Sequence, residues 1–183
     1  NVQGQVDDYF HAISLFEVSN YVVTGEGSTR PVSTSTGNGA PTANAGPDRF
    51  MPISTPFVLT GGAADPDGIG SLTYAWEQMD PAFALMPPDP ASTGGPAFRS
   101  VRPNDSPSRI FPNLDSLRQN SSTTWEVLPN VSRNMRFRFT VRDNAPGGGC
   151  TAEDDLVLGF TANAGPFLVN SPNGGEAWTI SGN

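Results

Sequence analysis

Lysine is absent from this chain, and cysteine and histidine occur once each, as Cys150 and His11. A lone cysteine closes no internal disulfide and builds no thiolate zinc site, and a lone histidine supplies no multi-histidine metal centre. The same scarcity leaves no nucleophile–base pair that the sequence singles out among its many Ser and Thr. No apolar run nears the ~20 residues of a membrane span, and residues 1–20 lack the basic start of a secretory leader. All ten basic residues are arginines, set against 18 acids, and a net charge of −8 makes nucleic acid and anionic membranes poor partners. Large apolar side chains are scarce as well. Leu, Ile, Val and Phe together make 39 of 183 residues, enough for a modest core, while 20 Gly and 18 Pro cut the chain into short segments.

What is present falls into blocks. Residues 7–23 read as the one convincing helix, with Asp7 or Asp8 placed to cap its start and Gly25 to end it. Its apolar residues, from Tyr9 and Phe10 to Tyr21 and Val22, cover more than one narrow stripe and need a partner. Residues 25–40 hold no large apolar residue except Val32 and read as a flexible linker. From Pro41 onward short strands alternate with turns: 56–60, 72–79, 135–141 and 155–160. In 135–141, Met135, Phe137, Phe139 and Val141 face one way and Arg136, Arg138 and Thr140 the other, the period of a half-buried antiparallel strand. The fold class expected is all-β, an antiparallel sandwich. The phrase TANAGP occurs at 42–47 and again at 161–166. As a module-start signature it divides the chain into a helix of a preceding domain (1–24), a linker (25–40), one sandwich (41–160) and the start of a following module (161–183). A piece of a larger multidomain protein is the expectation.

Residues 43–48 (ANAGPD), 57–61 (FVLTG), 65–68 (DPDG), 72–76 (LTYAW) and 139–144 (FTVRDN) together resemble the polycystic-kidney-disease-type (PKD-type) immunoglobulin-like domain. The resemblance implies an extracellular β-sandwich of the kind found as an accessory module in secreted bacterial hydrolases and surface proteins. Two departures are plain: a long Pro-rich excursion separates Trp76 from Phe137, and the family's Trp-Asp-Phe-Gly-Asp-Gly turn is replaced by residues 76–81, WEQMDP. Residues 8–14, DYFHAIS, resemble the last helix of reprolysin-like zinc metallopeptidases, whose HExxHxxGxxH zinc motif is missing here. The resemblances imply a non-catalytic accessory sandwich of a secreted metallopeptidase, a spacer, stabiliser or substrate-positioning module. The alternative is an adhesin-like or self-assembling surface module that binds glycan or another copy of itself. Its partners are then neighbouring domains, glycan or protein, at an extracellular location.

Two constellations could carry binding. Asp65 and Asp67 lie two apart on a turn, and Asp48, Asp143 and Asn144 could join them around a structural calcium, whose ligands are hard oxygens. The simpler reading is local turn chemistry, each carboxylate bonding its own backbone. Arg136, Arg138 and Arg142 share a strand face and could hold an anionic ligand. Pairing with Glu77 and Asp155 on neighbouring strands is the plainer alternative. Phe83, Leu85, Met86, Phe98, Ile110, Phe111, Leu114 and Leu117 make the excursion (80–124) too apolar for disorder, and they are expected to cover a sheet face or edge.

Overall fold

A computed structural model describes residues 8–29, 32, 34–121, 123–170 and 174. Its strands are β1 (Thr42–Asn44), β2 (Arg49–Pro52), β3 (Phe57–Thr60), β4 (Gly62–Ala64), β5 (Thr73–Gln78), β6 (Ser108–Phe111), β7 (Arg133–Arg142) and β8 (Thr151–Thr161). Helix α1 spans Ala12–Val23 and a short α2 spans Leu114–Arg118. One sheet runs β2-β8-β7-β5; the opposing layer consists of the pairs β1-β4 and β3-β6. Between them lies a single core in which Phe57 and Leu59 of β3 and Phe111 of β6 meet Trp76, Phe137, Phe139, Leu156 and Leu158. The inward set expected for β7 is fully buried (Met135, Phe137, Phe139 and Val141), and of the opposite set Thr140 is buried as well. Two layers closed face to face, with the last strands at the centre of one sheet, define an immunoglobulin-like β-sandwich.

The expected all-antiparallel arrangement has one exception, since β2 runs parallel to β8. The chain crosses from one layer to the other between β1 and β2, where Gly46 takes φ +81°, a conformation open to glycine at little cost. Aspartates pin this crossing. Asp154 accepts the Ala45 N–H at 2.8 Å and Asp48 accepts the Val157 N–H at 2.8 Å. Between β3 and β4, Gly61 passes so close to Phe139 that an added Cβ would lie 2.5 Å from its ring.

The Pro-rich excursion divides in two. Its second half joins the fold: Phe98 and Phe111 enter the core, β6 pairs with β3, and Asn104 pairs with Tyr74 to cover the outer edge of β5. The Pro107 carbonyl accepts both the Trp76 indole and the Gly61 N–H, each at 3.0 Å, tying the layers together. Its first half departs from expectation, because Phe83, Leu85 and Met86 stay exposed, as does Leu114. The cause is visible in the polar anchors. The Gln78 side chain takes the Ala97 and Phe98 N–H groups, and Arg133 holds the Ser92 and Gly95 carbonyls, so the loop is fastened by its backbone rather than by those side chains.

Two boundaries also differ from those expected. The helix begins at Ala12 instead of residue 7: Asp8 pairs with Arg102 at 3.0 Å rather than capping, and Asp7 lies outside the described residues. Its last residue is Val23, and Gly25 stands two residues on without a left-handed φ; a Cβ there would come within 2.9 Å of the Tyr21 carbonyl. The segment read as a linker is fastened at its far end, where Asn38 bonds Asp143 at 2.7 Å and the Gly39 N–H bonds Asp67 at 2.6 Å. The two TANAGP copies differ in structure. The first forms β1, whereas the second begins on the last residue of β8 and turns, with Gly165 against Pro52. Most of the expected following module, including Trp178, lies outside the described residues.

Candidate functional site

The most built feature is the seam between α1 and the sheet. A helix starts with backbone N–H groups that have no partner within it. No local side chain caps α1. Instead Glu77, on β5 and only 2% exposed, offers one carboxylate oxygen to the Ala12 N–H and the other to His11 Nδ1, both at 2.8 Å. Arg142 on β7 donates to the Phe10 carbonyl at 2.8 Å. Ala12 is fully buried by this contact. Beyond it the helix leaves the sandwich, and Phe16, Val18, Tyr21, Val22 and Val23 are exposed. Arg138 passes 5.9 Å from the Phe16 ring.

The three arginines proposed as an anion site are largely spoken for. Arg138 forms a bidentate pair with Asp155 (2.7 and 3.0 Å) and a second pair with Glu153 at 2.8 Å. The hydrogen bond with Asp155, and then the nearby charges, hold its pKa above the ordinary value despite burial. Arg142 is lowered by burial, with Glu77 opposing, and serves the helix seam. Arg136 is exposed, and its N–H bonds Asp80. Of the cross-strand partners expected for this face, Asp155 pairs with Arg138, while Glu77 turns to the helix.

The five calcium candidates do not share one site. Among the described residues, no group of three or more His, Cys, Asp or Glu is placed to hold a metal ion. Each carboxylate instead accepts N–H groups: Asp65 from Asp67, Asp67 from Gly39, and Asp48 from Val157. Asn144, at φ +54°, donates to the Ser71 carbonyl and Thr73 hydroxyl. These are the tasks of turn and crossing residues, and the set does not fit a common cation.

Asp143 accepts three hydrogen bonds. Burial alone would raise its pKa, but hydrogen bonds from Asn38, Ala145 and Cys150 outweigh that and hold it below the ordinary carboxylate value. A depressed folded pKa adds stability above the unfolded carboxylate range, and that stability disappears as pH falls through the folded pKa. Asp143→Asn is therefore expected to cost about 1–3 kcal/mol at neutral pH. The gap between mutant and parent should shrink toward pH ~2. Urea midpoints at both pH values check this, and a gap independent of pH would refute it.

Sequence reasoning missed the ion pair between Arg109 and Glu126. Arg109 on β6 bonds Glu126 at 2.7 Å, with Glu126 buried and Arg109 largely so, and the guanidinium also reaches the Trp76 and Arg99 carbonyls at 2.6 Å. Its guanidinium also lies 4.4 Å from the Phe111 ring centroid. Glu126 accepts the Asn113 N–H as well, at 2.7 Å. The signal was an acid set between Trp125 and Val127 and an arginine placed just before Ile110 and Phe111.

Strand pairing and core thus define the chain as an immunoglobulin-like β-sandwich carrying an N-terminal helix and a long insertion. No family model matches it, and no curated protein matches it in sequence. Among solved structures it is similar to the solution structure of the PKD domain (329–428) from human KIAA0319. That similarity is at 14% identity and a TM-score of 0.39, over 76% of this chain and all of that one. No helix among the described residues is long and apolar enough to cross a membrane.

Proposed function

We propose that this chain is a non-catalytic extracellular accessory module that positions a neighbouring domain of a longer secreted protein. The observation that carries this is the α1 seam. A buried carboxylate from the edge strand β5 fixes the start of a helix whose outer face is apolar and exposed. Such a face, on an element held rigidly at one end, is suited to packing against a neighbour. The parent as a zinc peptidase rests only on residues 8–14 and stands as a proposal.

The test uses the longer protein, with Phe16→Ser and Tyr21→Ser combined. Calorimetry is expected to show the sandwich transition unmoved and the neighbouring domain's transition several degrees lower, at roughly 2–8 °C per kcal/mol of lost contact. If the neighbour's transition stays in place, α1 does not seat it and the proposal fails.

A further inference from the structure

A hollow of about 420 Å³ opens between the start of α1 and the excursion, lined on its apolar sides by Met86, Pro88, Pro96 and Trp125. Its two most exposed functional groups are held by a short ladder. Phe98 and Glu126 form an antiparallel bridge, the Arg99 N–H donates to the Trp125 carbonyl at 2.9 Å, and the Val127 N–H to the Ala97 carbonyl at 2.9 Å. Alternation across that bridge sends Phe98 and Glu126 inward and places Arg99 and Trp125 side by side on the outer face. Phe98 is 5% exposed and Trp125 is 48% exposed, in keeping with that assignment.

The charge of the hollow is one-sided. Among the described residues, no Asp, Glu, Asn or Gln lines it. Arg102, Arg109, Arg133 and Arg138 each have a carboxylate within 4.0 Å. Among the described residues no carboxylate lies within 4.0 Å of the Arg99 guanidinium, whose Nε donates to the Ser100 carbonyl at 3.4 Å. An uncompensated guanidinium beside an exposed indole and proline walls calls for an acceptor anion joined to an apolar body. Two further hollows, of about 320 and 300 Å³, share lining residues with the first, one through His11 and Ser100 and the other through Arg99 and Trp125; the acids that line them, Glu77 and Glu126, are buried and already paired with the Ala12 N–H and with Arg109. A row of three suits an extended chain better than a single small molecule. A neutral sugar polymer is disfavoured, because it offers the Arg99 guanidinium no anion.

We propose that this groove docks an extended acidic peptide segment, with a large apolar side chain in the hollow beside Trp125 and an adjacent carboxylate on Arg99. The probe is a fluorescein-labelled octapeptide of sequence GSEFELSG, compared with GSKFKLSG, read by anisotropy on the intact chain. Saturable binding of the acidic peptide is expected, weakened about tenfold or more by Arg99→Gln and by Trp125→Ala and unchanged by Arg136→Gln. Arg99 is exposed, so its variant is expected to melt as the parent does, which keeps the test valid if Trp125→Ala unfolds. Four results overturn the proposal: no saturable binding up to about 1 mM, equal binding of the lysine peptide, affinity indifferent to Arg99→Gln, or binding of chitohexaose at the groove in place of the peptide.

Discussion

Arg109→Met is expected to destabilise the sandwich by about 3–5 kcal/mol, the loss typical when one partner of a buried ion pair is removed. The substitution keeps much of the side-chain volume over Phe111, so the loss is mainly electrostatic. It strands Glu126, which is 4% exposed, with only Asn113 and no cation. It also frees the Trp76 and Arg99 carbonyls that Arg109 joins across the insertion. Burial already pulls the Arg109 pKa below its ordinary value, with the hydrogen bond and charge of Glu126 opposing. Adding Glu126→Gln removes the orphan charge and keeps an acceptor for the Asn113 N–H. The double variant is therefore expected to be more stable than Arg109→Met alone, as a double-mutant cycle in urea would show. Losses that simply add would mean that the two residues are not coupled.

The insertion illustrates what local sequence conveys and what it does not. Strand β7 was legible because from Met135 to Val141 its inward residues are apolar and the residues between them polar, a period that no distant contact needs to supply. Phe98 and Phe111 were recognisable as too apolar for solvent, but nothing nearby separates them from Phe83 and Leu85, which stay outside. The difference lies in Gln78 and Arg133, two polar side chains that take backbone groups from residues 92–98 and so decide which part of the loop reaches the core. The same limit applies to the candidate sites. Asp65, Asp67 and Asp143 looked like cation ligands because turns place carboxylates together. In the fold they accept N–H groups, two of them from residues 38 and 39 of the segment that read as a free linker. Composition reports the propensity of such a segment, and only its distant acceptors fix it in place.

Helix α1 depends on a residue 65 positions away, and this gives the second large effect. Glu77→Ala is expected to cost about 2–4 kcal/mol, combining the loss of a helix cap with a buried N–H left without an acceptor. Ala12 is fully buried, so water cannot replace the lost carboxylate without opening the seam. Arg142 and Arg109 would lose a compensating charge at the same time, since Glu77 opposes the lowering of both. The loss should therefore have two parts that separate experimentally. The helix, anchored at its first turn and exposed beyond Phe16, should become open to proteolysis between residues 12 and 23 while the sandwich still melts cooperatively. Glu77→Gln should retain part of the cap, because its carbonyl oxygen can still accept the Ala12 N–H, and should fall between parent and alanine. Limited proteolysis alongside thermal melts of the two variants decides the matter. Equal protease resistance of α1 in Glu77→Ala and the parent would show that other contacts hold the helix.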